Sequence, residues 1–141
     1  MLVEDNPDDE LLMLMALKDS NIESETAVAR DGVEALDFLF GEGKHAGRDL
    51  SRMPSLILLD LKLPKMNGIE VLRRVRGHER TRLIPVVVLT SSSRDQDMID
   101  SYKHCANSYI QKPLDFDTFV DIVRQLGAYW LELNKLPGGL R

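Results

Sequence analysis

Leu56-Ile57-Leu58-Leu59-Asp60 and Ile84-Pro85-Val86-Val87-Val88-Leu89-Thr90 are two apolar runs, each closed by a polar residue. Neither alternates between apolar and polar, as a strand with one wet face would. Continuous runs of this length, rich in branched residues, fit strands buried on both faces of a parallel sheet. Three shorter candidates accompany them at residues 1–3, 25–29 and 108–111, beside 55–59 and 84–90 for the two runs themselves. Helical periodicity occupies the intervals, near 8–20, 32–40, 67–77, 95–104 and 115–133. Five strands alternating with five helices predict right-handed crossovers and a doubly wound three-layer α/β domain.

The composition agrees. The chain has 141 residues, 43% hydrophobic and 29% charged, which suits one domain with one core. No apolar run approaches the length of a membrane span and no signal-like segment opens the chain. Cys105 is the only cysteine, which excludes an intrachain disulfide or a cysteine-rich zinc site; a cytoplasmic location is expected. The net charge of −5 argues against general binding to nucleic acid or anionic lipid. That charge is uneven: residues 4–10 hold five acids and no base, and residues 62–82 hold seven Lys or Arg against two acids. The basic stretch reads as a solvated helix face. It lacks interleaved aromatics and a helix-turn-helix pattern, so direct DNA binding is not expected. Residues 41–54, rich in glycine and polar side chains, read as an exposed, mobile loop.

Ligands of open α/β sheets bind beyond the carboxyl ends of the strands. Those ends carry Glu4-Asp5, Asp60, Thr90-Ser91 and Gln111-Lys112-Pro113. Asn6, Pro7, Asp8, Asp9 and Glu10 are explained by helix capping and the positive helix end. Glu4 and Asp5 precede the cap and are not. Facing Asp60, they would repel one another unless one protonates or a cation intervenes. An all-oxygen set suits Mg²⁺. Asp60 ends a rigid buried strand, Lys112 offers a positive charge to it and to a phosphoryl oxygen, and Thr90 offers that oxygen a hydroxyl, which is the equipment of phosphoryl transfer to a carboxylate nucleophile.

Five segments in order carry a family resemblance: Val3-Glu4-Asp5-Asn6, Leu58-Leu59-Asp60-Leu61-Lys62-Leu63-Pro64, Met66-Asn67-Gly68, Val88-Leu89-Thr90-Ser91 and Tyr109-Ile110-Gln111-Lys112-Pro113. Over nearly its whole length the chain resembles the receiver domain of two-component response regulators. That resemblance implies a flavodoxin-like (CheY-like) sheet in the order 2-1-3-4-5, as a single receiver domain over residues 1–141 with no output domain. It implies Asp60 as phosphoacceptor, Asp5 as a direct Mg²⁺ ligand, Glu4 as a direct or water-mediated one, and the Lys62 backbone carbonyl as another. Thr90 and Lys112 would bind the phosphoryl group, and Thr90 and Tyr109 would form the switch. A sensor histidine kinase would be the donor, the chain would catalyse only its own phosphorylation and dephosphorylation, and an unknown downstream protein would receive the signal. A narrower similarity, to stand-alone regulators that partner bacterial phytochromes, rests on Asp31-Gly32, the 41–54 loop, Ser101-Tyr102, Ala106-Asn107-Ser108-Tyr109 and Tyr129-Trp130-Leu131 with Leu136-Pro137. Only three residues precede Glu4, so the first strand is expected to be short unless the native start lies upstream.

Competing readings fare worse. A haloacid-dehalogenase-type phosphatase needs a second acid two residues after the nucleophile, where Lys62 stands. A flavodoxin needs a phosphate-cradling first loop, and here that loop is acidic. An interaction module independent of phosphorylation does not need the full site. Elsewhere, His45, His78 and His104 read as surface residues, and Cys105 as a small buried hydrophobe. In the first helix, Leu12, Met13, Ala16 and Leu17 are expected to face the sheet, leaving Leu11, Leu14 and Met15 outside as a kinase surface. In the last, Phe116, Phe119, Val120, Val123, Leu126 and Trp130 form the covering stripe. Tyr129, Leu131, Leu133, Leu136, Pro137 and Tyr102 leave apolar area over, for a homodimer through the fourth helix, fifth strand and last helix.

Overall fold

The computed structural model describes residues 1–18 and 25–138. Strands β1 (Leu2–Val3), β2 (Val28–Ala29), β3 (Ile57–Leu59), β4 (Val86–Thr90) and β5 (Ser108–Gln111) alternate with helices α1 (Pro7–Lys18), α2 (Gly32–Phe40), α3 (Gly68–Gly77), α4 (Asp95–Lys103) and α5 (Phe116–Gly127). All pairings are parallel, in the order β2-β1-β3-β4-β5. The expected class, order and alternation therefore hold. The elements are shorter than their apolar runs because a strand ends where its neighbour stops pairing: β2 lies at the sheet edge against a two-residue β1. Residues 19–20 of the expected first helix lie outside the described residues.

Strand side chains alternate between two cores. Ile57, Leu59, Val86 and Val88 pack with Ala35, Leu39, Val71 and Leu72 of α2 and α3. Leu58, Val87 and Leu89 pack with Met13, Ala16, Phe119 and Val123 of α1 and α5. Side chains pointing to both faces, each covered by helices, are what the unbroken apolar runs require. Helix starts are set by side-chain caps: Asp31 accepts the Glu34 amide at 2.7 Å, Asn67 the Glu70 amide at 3.0 Å and Asp115 the Thr118 amide at 2.9 Å, as short polar side chains do for orphan helix donors.

Several expectations need correction. The last helix does not run to 133 as one α-helix; after Gly127 it widens into a π-helical turn over Ala128–Leu133. The wider turn shifts the phase of the stripe, so Trp130 and Leu131 both reach the α1–α5 core while Tyr129 and Leu133 stay exposed. Phe116, expected to cover the sheet, is 69% exposed; it sits at the first turn of α5, and Phe119 is the first aromatic of the helix to reach the core. Cys105 is exposed rather than buried, because it takes a left-handed conformation (φ 66°) in the turn between α4 and β5. Leu14 is half-buried against the core, which leaves Leu11 and Met15 as the exposed apolar side chains of α1.

The 41–54 segment is tied down more than its composition suggests. Arg48 donates to the Phe38 carbonyl at 2.6 Å and to the Arg52 carbonyl at 2.8 Å, and its guanidinium lies 4.0 Å from the Phe38 ring centre. His45 packs edge-on against the same ring. It is therefore half-buried, not a free surface histidine.

Candidate functional site

Each functional side chain is placed by the end of a strand or the loop after it. The Asp60 amide donates to the Val3 carbonyl at 3.0 Å and the Lys112 amide to the Thr90 carbonyl at 2.7 Å. Register between neighbouring strands thus carries Glu4, Asp60, Thr90 and Lys112 to one edge. After Asp60 the chain must turn back beneath α3, and Gly68 permits it. A Cβ there would stand 2.3 Å from the Asp60 carbonyl oxygen and 2.6 Å from Leu61 Cα, so only glycine tolerates the approach.

Three acids meet one amine. Lys112 Nζ donates to Glu4, to Asp9 at 2.9 Å and to Asp60 at 3.0 Å. Glu4 and Asp60 are almost fully buried and the Lys112 side chain is only 9% exposed, while Asp5 remains open to solvent. Burial raises Glu4 to about 7; the Lys112 hydrogen bond pulls it down and the Asp60 charge pushes it up. Burial alone would lower Lys112, but its bond to Glu4, the charge of Asp60 and its bond to Asp9 outweigh that and hold it above the usual lysine range. The ammonium is therefore permanently charged at neutral pH.

Glu4, Asp5 and Asp60 each offer a carboxylate oxygen, and the three lie within 4.8 Å of one another. A small set of hard oxygen donors with negative charge to spare fits a divalent cation such as Mg²⁺ or Mn²⁺, which completes its shell with water and phosphate oxygens. The Lys62 amide donates to Asp60 Oδ1 at 3.2 Å and holds that carboxylate in place. Thr90 is fully buried at its strand end, with its hydroxyl oxygen 3.4 Å from the Ser92 amide. Tyr109 is half-buried against the core beside α3 and donates its hydroxyl to the Ser92 carbonyl at 3.0 Å. Burial raises its pKa, and that bond partly offsets the rise. Tyr109 is thus linked to the loop that follows Thr90.

The structure brings together Glu4, Asp5, Asp60 and Lys112, and places Thr90 and Tyr109 beside them through the Ser92 loop. Lys62 turns its side chain to solvent. Two residues escaped the sequence reading. Asp9, explained there by helix polarity alone, is a direct partner of Lys112. Ser92 donates to Asp97 at the start of α4. An available signal for Asp9 was its place in the first helical turn after the strand end, facing the same edge as Glu4. A groove of about 720 Å³ lies elsewhere, lined by Leu36, Phe40, Leu50, Arg73 and Arg80 among others, and contains none of these site residues.

Comparison with known proteins fits this geometry. The profile of the response regulator receiver domain matches residues 1–124. The chain is 43% identical over 139 residues to the probable methanogenesis regulatory protein FilR2 of Methanothrix harundinacea, covering 98% of this chain and 86% of that protein. It is 39% identical to the response regulator Rcp1 of Synechocystis, covering 97% and 91%. The crystal structure of the phosphorylated cyanobacterial phytochrome response regulator RcpA superposes with a TM-score of 0.90 at 39% identity, covering 97% of this chain and 96% of that one. The bacteriophytochrome response regulator RtBRR superposes at 0.75 with 47% identity, covering 98% and 82%. With the parallel order β2-β1-β3-β4-β5 and the acidic strand ends, these matches place the chain in the response regulator receiver domain family.

Proposed function

We propose that this chain is a single-domain receiver over residues 1–141 that accepts a phosphoryl group on Asp60 from a histidine of a sensor kinase, with Mg²⁺, and passes the signal on through protein contacts. The observation that carries this reading is the Lys112 ammonium seated between Glu4 and Asp60 at adjacent strand ends. Glu4, Asp5, Asp60 and the backbone carbonyl of Lys62 would hold the metal, which supplies positive charge against the phosphoryl oxygens when bound. Asp60 is the nucleophile: its carboxylate oxygen forms the new bond to phosphorus while the bond from phosphorus to the kinase imidazole nitrogen breaks. Thr90 and Lys112 receive phosphoryl oxygens, and Tyr109 follows through the Ser92 loop. The chain catalyses only its own phosphorylation and dephosphorylation.

A phytochrome-type kinase is the donor this reading favours, because the similar solved structures include a cyanobacterial phytochrome response regulator and a bacteriophytochrome response regulator. A location in the cytoplasm fits that partner, and among the described residues no helix is long and apolar enough to cross a membrane. Exposed Met98, Ile99 and Tyr102 of α4, with Phe116, Tyr129 and Leu133 at the two ends of the last helical segment, support a homodimer through α4, β5 and α5. The aspartyl-phosphatase alternative has no second acid: the residue two beyond Asp60 is Lys62, turned to solvent.

Treatment with acetyl phosphate and Mg²⁺, followed by intact-mass analysis, should add one phosphoryl group to the wild-type chain and none to Asp60→Asn. Equal labelling of the two would reject Asp60. Candidate kinases with labelled ATP then identify the donor.

A further inference from the structure

Lys112 donates to three carboxylates, although a link to the candidate acceptor needs only one. Two of them, Glu4 and Asp60, belong to the oxygen cluster that fits a divalent cation; Asp9 does not. Asp9 stands in the first turn of α1, its amide bonded to Asn6 Oδ1 at 3.2 Å. Its side chain is 26% exposed, more open than the other two carboxylates on Lys112. An acid favours the positive end of a helix in any orientation. That does not explain why this one is turned inward, 2.9 Å from a buried ammonium.

A divalent cation drawn to Glu4, Asp5 and Asp60 repels the neighbouring ammonium and competes for two of its three acceptors. The acceptor left to Lys112 is Asp9. We propose that Asp9 is a positioning residue: it keeps the Lys112 ammonium at the strand ends while Glu4 and Asp60 are engaged by the metal, so that Lys112 is in place for the phosphoryl oxygen. This deepens the reading of Asp60 as phosphoacceptor and rests on it. Asp9 touches neither the metal cluster nor the phosphoryl group in this scheme, and acts through Lys112.

An amine-reactive reagent followed by peptide mapping reads the accessibility of Lys112 without any turnover. In the wild-type chain, saturating Mg²⁺ should leave Lys112 protected. In Asp9→Asn the same Mg²⁺ should raise its modification by about tenfold, the ratio that loss of one charge-assisted hydrogen bond supplies. Asp9→Glu should restore protection. An equal response to Mg²⁺ in wild type and Asp9→Asn overturns the proposal.

Labelling rates with acetyl phosphate give a second, independent readout. Asp9→Asn should slow labelling when Lys112 is present and change nothing further in Lys112→Ala, since two residues acting as one unit are not additive. Were Asp9 merely an anion repelling the donor, its removal would speed labelling in both backgrounds, and the proposal would be wrong. Labelling that survives Asp60→Asn overturns the parent reading instead. Loss of labelling in Asp60→Asn, together with additive Asp9 and Lys112 effects, overturns only the role of Asp9.

Discussion

Replacing Lys112 with methionine keeps an unbranched chain of similar reach and deletes the charge that three carboxylates share. Glu4 and Asp60 are nearly sealed from solvent, with side-chain exposures of 1% and 6%, whereas Asp9 at 26% is partly hydrated. The cost is therefore that of stripping the counter-ion from one buried cluster, roughly 3–5 kcal/mol. For a chain of this size that corresponds to a fall in Tm of roughly 10–17 °C. The loss depends on pH, with a sign that follows from Glu4. Its folded pKa of about 7 lies above the ordinary 4.5, so the stability it contributes is complete below 4.5 and is lost as pH rises through 7. In Lys112→Met the hydrogen bond and charge that pulled Glu4 down are gone, so it keeps its proton to higher pH and the window of loss moves upward. The gap between variant and wild type should be widest near about pH 8 and narrower near about pH 5. Urea denaturation in chelating buffer at both pH values measures it, and added Mg²⁺ should recover more stability in the variant than in wild type. A variant within about 1 kcal/mol of wild type at the higher pH, less than the loss of one charged hydrogen bond, would refute the view that Lys112 neutralises a buried acidic cluster.

Gly68→Ala drives a methyl group into the Asp60 carbonyl oxygen and Leu61 Cα, and should cost about 1–3 kcal/mol by urea titration while slowing phosphodonor labelling, since the displaced backbone carries Asp60. Met15→Asp places a charge on the exposed face of α1 and should abolish transfer from a kinase while leaving acetyl phosphate labelling at the wild-type rate; equal loss of both would indicate a misfolded helix. Asp5→Ala should lose Mg²⁺-dependent labelling with no loss of fold by circular dichroism, because this solvent-exposed acid is not part of the core. Light scattering over a dilution series should give a mass above one chain at high concentration, and Tyr102→Asp should lower it to one; a single-chain mass throughout would end the dimer proposal.

The fold and most of the site were readable along the chain because they depend on local properties. An unbroken apolar run such as Leu56–Leu59 reports burial on both faces, and the polar residue that closes it marks the strand end where parallel sheets place ligands. Asp60, Thr90 and Lys112 are each found by that rule, and Asn6 is found as the cap of α1 because capping is a contact between near neighbours. What depended on packing was not readable. Asp9 and Lys112 are separated by 103 positions, and only the seating of α1 beside α5 across the same sheet edge brings them together. Phe116 carries the right periodicity for the covering stripe yet lies ahead of the sheet, and the π-helical turn after Gly127 changes which of Tyr129, Trp130 and Leu131 point inward. Cys105 is apolar enough for a core, but a left-handed turn that only the α4–β5 connection requires sends it outward. Periodicity states which residues share a face; which face meets another element, and where along it contact begins, is decided by how the layers pack in three dimensions.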